Sequence, residues 1–510
     1  MSCDGGVNVS IVSSAAQTNG SSREGREISV GIVGAGFGGV GMGIRLKQEG
    51  IENFTIFERG DSVGGVWRAN TYPGAACDVP SHLYSYSFAP GSKWSKRYAP
   101  QTEIKAYLEE CANDFGIPAH LAANTEIVSA DFDPASGTWT LTDDGGGTHD
   151  FDVVVSACGQ LTRPSYPPAP GIEDFEGHSF HSAEWDHDHP LDGRKVAVIG
   201  TGASAIQFAP EIAPIVDRMT IYQRSAPWVL PKSDRAYPEW ERRLFERFPA
   251  RVAASRLGLF GFFEAGTHGF TGKHWVLRPL EAAALANQRW QLRKRPELIE
   301  PTTPSYKFGC KRVLFTSEWY PTLARDNVEL LDGAIQRVTA TGVIGADGIE
   351  RPADTIIWGT GFQSHNFVAP MRINGLDGRE LNDVWAERPE AFLGSTMSGF
   401  PNLFMLYGPN TNHGSGSVIY TLECQFNYAL DAVRRLGEQG LRYIELKPEA
   451  MAEWRAEIDE RSAPSVWTTG GCDNWYLNAE GANTNNWPAG WLEFRRRTKR
   501  LDPGHYRAAA

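Results

Sequence analysis

The chain has 510 residues, enough at ~150 per domain for about three domains, so a single small module is excluded. Hydrophobic residues make up 41% and charged residues 22%, a balance with ample material for a large core. The net charge of −12, without basic blocks, argues against a nucleic-acid duplex or an anionic membrane surface as partner.

Residues 1–26 are rich in Ser, Gly, Asn and Ala and read as a loose, disordered tail, without the basic start and apolar block of a secretory signal. The first strong element is the apolar strand Ile28–Val33, running straight into Gly34-Ala-Gly36-Phe37-Gly-Gly39 and a helical stretch to Glu49. A second strand, Phe54–Phe57, ends at Glu58. In such a GxGxxG turn the first glycine makes the tight turn and the second lets a pyrophosphate approach the backbone. The third lets the helix pack close, with its N-terminal N–H groups facing the phosphates. A carboxylate at Glu58 is placed to accept from ribose hydroxyls.

The run Asp152–Gly159 reads as a buried strand ending in a small-residue turn, and Ala353–Phe362 repeats it. Between them lies a second copy of the dinucleotide pattern. The strand Lys195–Ile199 leads into Gly200-Thr201-Gly202-Ala203-Ser204-Ala205 and a helix, and a strand Met219–Tyr222 follows, ending at Gln223-Arg224. Here a guanidinium stands where the first unit has an acid. Arg224 can grip a 2′-phosphate that a carboxylate would repel, which favours NADPH over NADH; its alternative is an ordinary surface arginine. One dinucleotide held through Glu58 and another through Arg224 describes FAD and NADPH in one chain.

Two strand–turn–helix–strand units predict an α/β fold with two Rossmann-like domains, the NADP domain inserted in the FAD domain. The FAD-binding domain is expected over 27–160 and 356–510, and the NADP-binding domain over 161–355. Within the latter, 238–304 reads as a helical subdomain or a surface elaboration. The seven cysteines are scattered with no CxxC pair, which argues against a disulfide framework, a zinc site or a disulfide-reductase flavoprotein. That pattern, with no apolar run of membrane-spanning length, points to a cytoplasmic protein with no metal and no membrane span.

The string Phe175-Glu-Gly177-His-Ser-Phe-His181-Ser-Ala-Glu-Trp185-Asp186 matches FxGxxxHxxxW(D/P) and resembles the signature of type I Baeyer–Villiger monooxygenases, class B flavoproteins. Gly64-Gly65-Val66-Trp67, Tyr72–Asp78 and Pro80–Tyr84 resemble the flavin-contacting segment of these enzymes, and Phe400–Thr411 their late flavin-domain strand and loop. The resemblance covers nearly the whole chain after the tail, and is nearest to the aryl-ketone (4-hydroxyacetophenone monooxygenase-like) branch. One departure is visible at His413, where many relatives carry a leucine.

The resemblance implies insertion of one atom of O2 next to a ketone carbonyl, giving an ester or lactone through a C4a-peroxyflavin. It assigns Arg312 as the cation facing that peroxide and Asp78 as the carboxylate positioning it, although a strand-end salt bridge would explain Asp78 as well. For the cofactors it implies Gly34, Gly36, Phe37, Gly39, Glu58, Gly65, Val66, Trp67, Asp78, Tyr84 and Val128 on one side. Gly200, Thr201, Gly202, Ala203, Ser204, Ala205, Arg224, Ser225 and Lys311 form the other. Phe175, Gly177, His181, Trp185 and Asp186 read as an interdomain hinge or as a structural linchpin. Trp475 resembles a substrate-loop tryptophan, or is plain core packing. The partners implied are a small ketone and O2, with no nucleic acid, on a monomer or small homo-oligomer. A flavin-containing monooxygenase acting on sulfur or nitrogen, an NADPH oxidase and a non-enzymatic nucleotide-binding protein remain the alternatives.

Overall fold

In the computed structural model, which describes residues 26–510, each glycine turn follows the central strand of its own five-stranded parallel sheet. In the first sheet Val30–Val33 lies between Phe54–Glu58 and Val153–Ser156, with Leu121–Ala123 and Leu403–Met405 at the edges. In the second, Lys195–Ile199 lies between Arg218–Gln223 and Thr355–Trp358, with Val328–Asp332 and His178–His181 outside them. The central strands are apolar on both faces because helices cover one side of each sheet and a small antiparallel sheet covers the other. Both sheets reverse strand order beside the glycine turn, which opens a crevice at the carboxyl ends of the strands.

Gly34 and Gly200 both take φ +105°, a left-handed region that disfavours side chains. A Cβ at Gly34 would stand 2.7 Å from the Ala157 carbonyl oxygen, and one at Gly200 would stand 2.5 Å from that of Gly359. The turns are thus pinned between neighbouring strands in the same way. The helix Phe37–Gln48 then packs on Val418–Gln439, where a Cβ on Gly41 would sit 2.5 Å from the Phe426 ring.

The inserted arrangement holds, with one shift of boundary. The strand Thr355–Trp358 belongs to the second sheet, so the chain recrosses to the first domain after Trp358 and not at 355. A buried strand ending in glycine fits either sheet on sequence alone; pairing with Lys195–Ile199 decides it. The stretch expected to be helical contains Glu239–Arg247, Pro249–Phe270 and Arg278–Gln291. The strand Arg372–Asn374 returns to pair with Ile127–Asp133, joining the two parts of the first domain in a four-stranded sheet. The tail expected over 1–26 lies, but for Arg26, outside the described residues.

One expectation is overturned. Cys310 and Cys472 form a disulfide across 162 residues, with Cα atoms 6.2 Å apart. Scattered cysteines therefore did pair, and the cysteine argument for a reducing compartment falls with them. No described helix is long and apolar enough to cross a membrane.

Candidate active site

A cavity of about 450 Å³ runs from the first glycine turn to the second domain. Its walls include Gly34, Gly36, Phe37, Asp78, Arg312 and His413. The helix Phe37–Gln48 aims its free N–H groups into it. Opposite, Gly65 faces Gly36 so closely that a Cβ on Gly65 would lie 2.9 Å from the Gly36 Cα. Two facing glycines beside a helix N-terminus make a bare backbone cradle of the kind a pyrophosphate needs. Gly39 supplies the close packing, since a Cβ there would lie 1.8 Å from the Gly34 carbonyl oxygen.

Glu58 is buried, as its place at the end of the second strand requires. Its carboxylate accepts from the Ala35 and Gly60 N–H groups, both at 2.9 Å, and from Arg68 at 2.7 Å. These bonds tie the acid to the glycine turn and leave it on the cavity wall. Trp67 donates to the Tyr84 hydroxyl at 3.0 Å, and Tyr84 meets Phe37 edge-on at 5.4 Å, so three of the expected flavin-side residues form one aromatic corner. Val66 lines the cavity as well. Val128 does not: the alternation of Ile127–Asp133 turns Ile127 to the cavity and leaves the Val128 side chain exposed.

Asp78 and Arg312 meet across the domain boundary. Arg312 Nε donates to Asp78 Oδ2 at 3.0 Å, and Nη2 donates to Oδ1 at 2.8 Å and Oδ2 at 2.6 Å. A bidentate pair fixes the guanidinium plane. The carboxylate beside it raises the already high pKa of Arg312 further, so the charge is permanent. The pair does not seal the site, because 41% of the Arg312 side chain remains accessible.

The two domains are also joined through Gln207, a residue the sequence did not single out. From the helix Ala205–Ile212 its Oε1 accepts from the Tyr72 hydroxyl at 2.9 Å, and its Nε2 donates to the Ala76 carbonyl at 2.9 Å. The Tyr72–Asp78 segment is thereby docked on the second domain two residues short of Asp78. Tyr407 and Phe362 line the same wall and were likewise missed, although Tyr407 lies within the quoted Phe400–Thr411 segment.

At the second glycine turn, Lys311 Nζ donates to Ser225 Oγ at 2.7 Å, and Thr201 Oγ1 to the Ser225 carbonyl at 3.4 Å. Gly202 has only one atom within 4 Å of a would-be Cβ, the Gly359 carbonyl oxygen at 3.8 Å, so the turn is open on that side. Ala203 and Ser204 reach the main cavity, and Ala205 begins the helix. Burial and the neighbouring Arg224 hold the Lys311 ammonium below the ordinary lysine value. Arg224 is exposed and faces Asp473 at 3.4 Å. Lys311 thus stands between the Arg224 guanidinium and the Asp473 carboxylate, which act on it in opposite directions.

The FxGxxxHxxxW segment proves to be an edge strand with packed flanks. A Cβ on Gly177 would stand 2.6 Å from the Asp354 carbonyl oxygen, and the Phe175 ring covers the same spot. Asp186 pairs with His178 at 2.9 Å, while Trp185 packs on Phe180 and Phe208. His181 is fully buried against Phe362, in the stretch where the chain recrosses between domains. Its Nδ1 accepts from the Ala183 N–H at 3.1 Å, which puts the ring proton on Nε2. Burial holds its pKa below the usual histidine value.

Trp475 is not on the cavity wall. It packs with Tyr476 at 4.5 Å, in the cluster that also holds Cys472, Trp467 and Phe308. The disulfide does not line the cavity either; it ties the segment leading to Arg312 to the loop that carries Trp475. Among the described residues no cluster of His, Cys, Asp and Glu could hold a metal ion.

Similarity to known proteins extends over nearly the whole chain. The flavin-binding monooxygenase-like (FMO-like) family matches residues 27–257. A Baeyer-Villiger monooxygenase of Pseudomonas aeruginosa is 44% identical over 482 residues, covering 94% of this chain and 91% of its own length. Another, of Streptomyces coelicolor, is 44% identical over 480 residues, covering 94% and 92%. Among solved structures, closed cyclohexanone monooxygenase superposes with a TM-score of 0.83 at 27% identity, covering 95% of this chain and 99% of its own. A complex named OTEMO with FAD and NADP (form 3) gives 0.83 at 26% identity, covering 94% and 99%.

Proposed function

The chain belongs to the Baeyer–Villiger monooxygenase family of flavoproteins, and from that premise we propose that it uses FAD, NADPH and O2 to convert ketones, aryl ketones among them, into esters or lactones. The observation that carries the reading is the Asp78–Arg312 pair, a permanent cation held rigidly on the wall of a cavity that begins at a dinucleotide turn. Solved structures of similar proteins hold FAD and NADP.

The residues fit both groups. The Gly36–Gly65 cradle and the N-terminus of Phe37–Gln48 suit a pyrophosphate, and Glu58 suits a ribose. Lys311 and Arg224, crowded together beside the second turn, suit a 2′-phosphate. Bound flavin supplies the reductive activation of O2.

The protein's own part is electrostatic and geometric. Oxygen insertion beside a carbonyl passes through a negatively charged adduct, which a low-dielectric cavity destabilises unless a fixed cation faces it. Arg312 is that cation, and Asp78 sets its plane. Phe37, Trp67, Tyr84 and Phe362 give the cavity flat aromatic walls. His181, packed on Phe362, and the Gln207 contacts tie the two domains together beside the cavity that both nicotinamide and ketone would enter.

The test is Arg312→Ala. The variant should still consume NADPH and O2 but release hydrogen peroxide in place of ester. Ester formation at the native rate would refute the role of Arg312.

A further inference from the structure

The helix Pro249–Phe270 is built inside out. Between Val252 and Thr267 its only charged residues are Arg256 and Glu264, and both turn inward. Arg256 donates to the His82 carbonyl at 2.6 Å and to the Ser85 carbonyl at 3.0 Å. Glu264 accepts from the Trp491 N–H at 2.7 Å, and Phe260 and Phe263 pack on the Trp491 ring. The outward positions, three or four residues apart, are Ala254, Leu257, Gly258, Gly261, Phe262 and Ala265. None of them is polar, and Leu257 is 72% exposed and Phe262 62%. A solvated helix face carries polar side chains, so a whole apolar stripe implies a cover.

The charge missing from the stripe stands at its two ends. Exposed Phe248 leads in, with Arg247 and Arg251 on either side of it in the chain. Exposed Trp275 follows, between Lys273 and Arg278. All four cations are exposed, and the ion pairs formed within this subdomain, Arg243–Glu239 and Arg295–Glu297, leave them free. Residues 238–304 hold 11 Lys and Arg against 7 Asp and Glu, in a chain whose net charge is −12. The overall charge that argued against an anionic membrane is therefore an average, and this face reverses its sign.

We propose that this face docks on the surface of an anionic lipid bilayer. Leu257 and Phe262 enter the interfacial layer, and the four cations meet the headgroup phosphates. Aromatic residues sit at that boundary and Lys and Arg reach the phosphates, so a stripe bordered by both is complementary to it. A second copy of the chain fits less well, because a two-fold pairing would set the same unpaired cations against each other. Docking here is peripheral, since the inner face of the helix is packed on the protein. The inference does not rest on the proposed function.

The test sediments FAD-loaded full-length protein with vesicles of phosphatidylcholine alone, or mixed equally with phosphatidylglycerol, at low and high salt. The anionic vesicles should bind at least about tenfold more tightly than the neutral ones and release most of the protein at high salt. The double variant Leu257→Asp, Phe262→Asp should weaken that binding at least about tenfold while keeping a native flavin spectrum. If it loses its flavin, the double variant Arg251→Glu, Lys273→Glu decides, with an expected loss of about fivefold or more. No binding of the native protein to anionic vesicles, equal binding to neutral ones, or binding that the variants retain overturns the proposal. A native dimer in sedimentation velocity that Leu257→Asp, Phe262→Asp splits, without vesicle binding, overturns it too and assigns the face to a second copy.

Discussion

Arg312 and Asp78 lie 234 residues apart and on different domains, yet three hydrogen bonds of 2.6–3.0 Å lock guanidinium to carboxylate. The pair is both a catalytic feature and a domain clasp. Asp78→Asn should leave Arg312 charged but free to swing. Because a misplacement of about 1 Å can cost as much as 100-fold, ester formation should fall roughly tenfold or more. NADPH oxidation should fall much less, so the ratio of ester to hydrogen peroxide is the quantity to measure. An unchanged ratio would reduce Asp78 to a plain salt bridge.

Lys311 is pressed by Arg224 and held by the Ser225 hydroxyl and the face of Tyr306, so an added phosphate relieves it. Lys311→Ala should raise the KM for NADPH by roughly 10–100-fold, the worth of a charge-assisted hydrogen bond, and leave that for NADH nearly unchanged. Arg224→Ala should do the same more weakly, because its side chain is largely solvated. A parallel loss with both nucleotides would place the 2′-phosphate elsewhere.

The Cys310–Cys472 link joins the approach to Arg312 with the loop of Trp475, and Gly470 sits directly against the Cys310 sulfur. Peptide mapping without reductant should recover the two cysteines as one cross-linked fragment. Cys472→Ser should lower stability by about 2–5 kcal/mol, read as a lower melting temperature that dithiothreitol reproduces in the native enzyme. A native enzyme whose melting temperature ignores dithiothreitol would deny the link any structural weight.

Buried histidines shape the acid side of the stability profile, His413 and His82 most strongly. Burial holds His413 at about 3 and His82 at about 4 in the folded protein, whereas in the unfolded chain each protonates at its ordinary value of 6.5. Below pH 6.5 the unfolded state binds protons that the folded state refuses, so stability falls as pH drops towards 4 and 3 and is fully present above 6.5. Each group contributes up to a few kcal/mol to that slope. Melting temperatures between pH 7 and 4 should therefore decline, and His413→Leu should flatten the decline. Equal slopes in both proteins would contradict the burial argument.

How much of this was legible in the sequence depended on the range of the physics. The two glycine turns, Glu58 and the inserted arrangement were readable because a tight turn, a strand end and a helix start are set within a few residues. Val128 missed the cavity by one residue of strand register, and Trp475 by the packing of a loop on a distant cluster. The boundary slipped from 355 to beyond Trp358 because hydrophobicity shows that a strand is buried without showing in which sheet. The disulfide and Gln207 were out of reach, since each depends on pairing across more than a hundred residues. His413 showed as a departure from a pattern; only the structure revealed that its nitrogens lack partners.

The most direct test of the central claim is turnover under 18O2. FAD-loaded enzyme, NADPH and 4-methylacetophenone are incubated in labelled oxygen, and the product is examined by mass spectrometry. The account predicts an ester carrying one labelled oxygen in its bridging position, with the other label in water. Unlabelled ester, or NADPH consumed entirely to hydrogen peroxide while added sulfides are oxygenated, would contradict it.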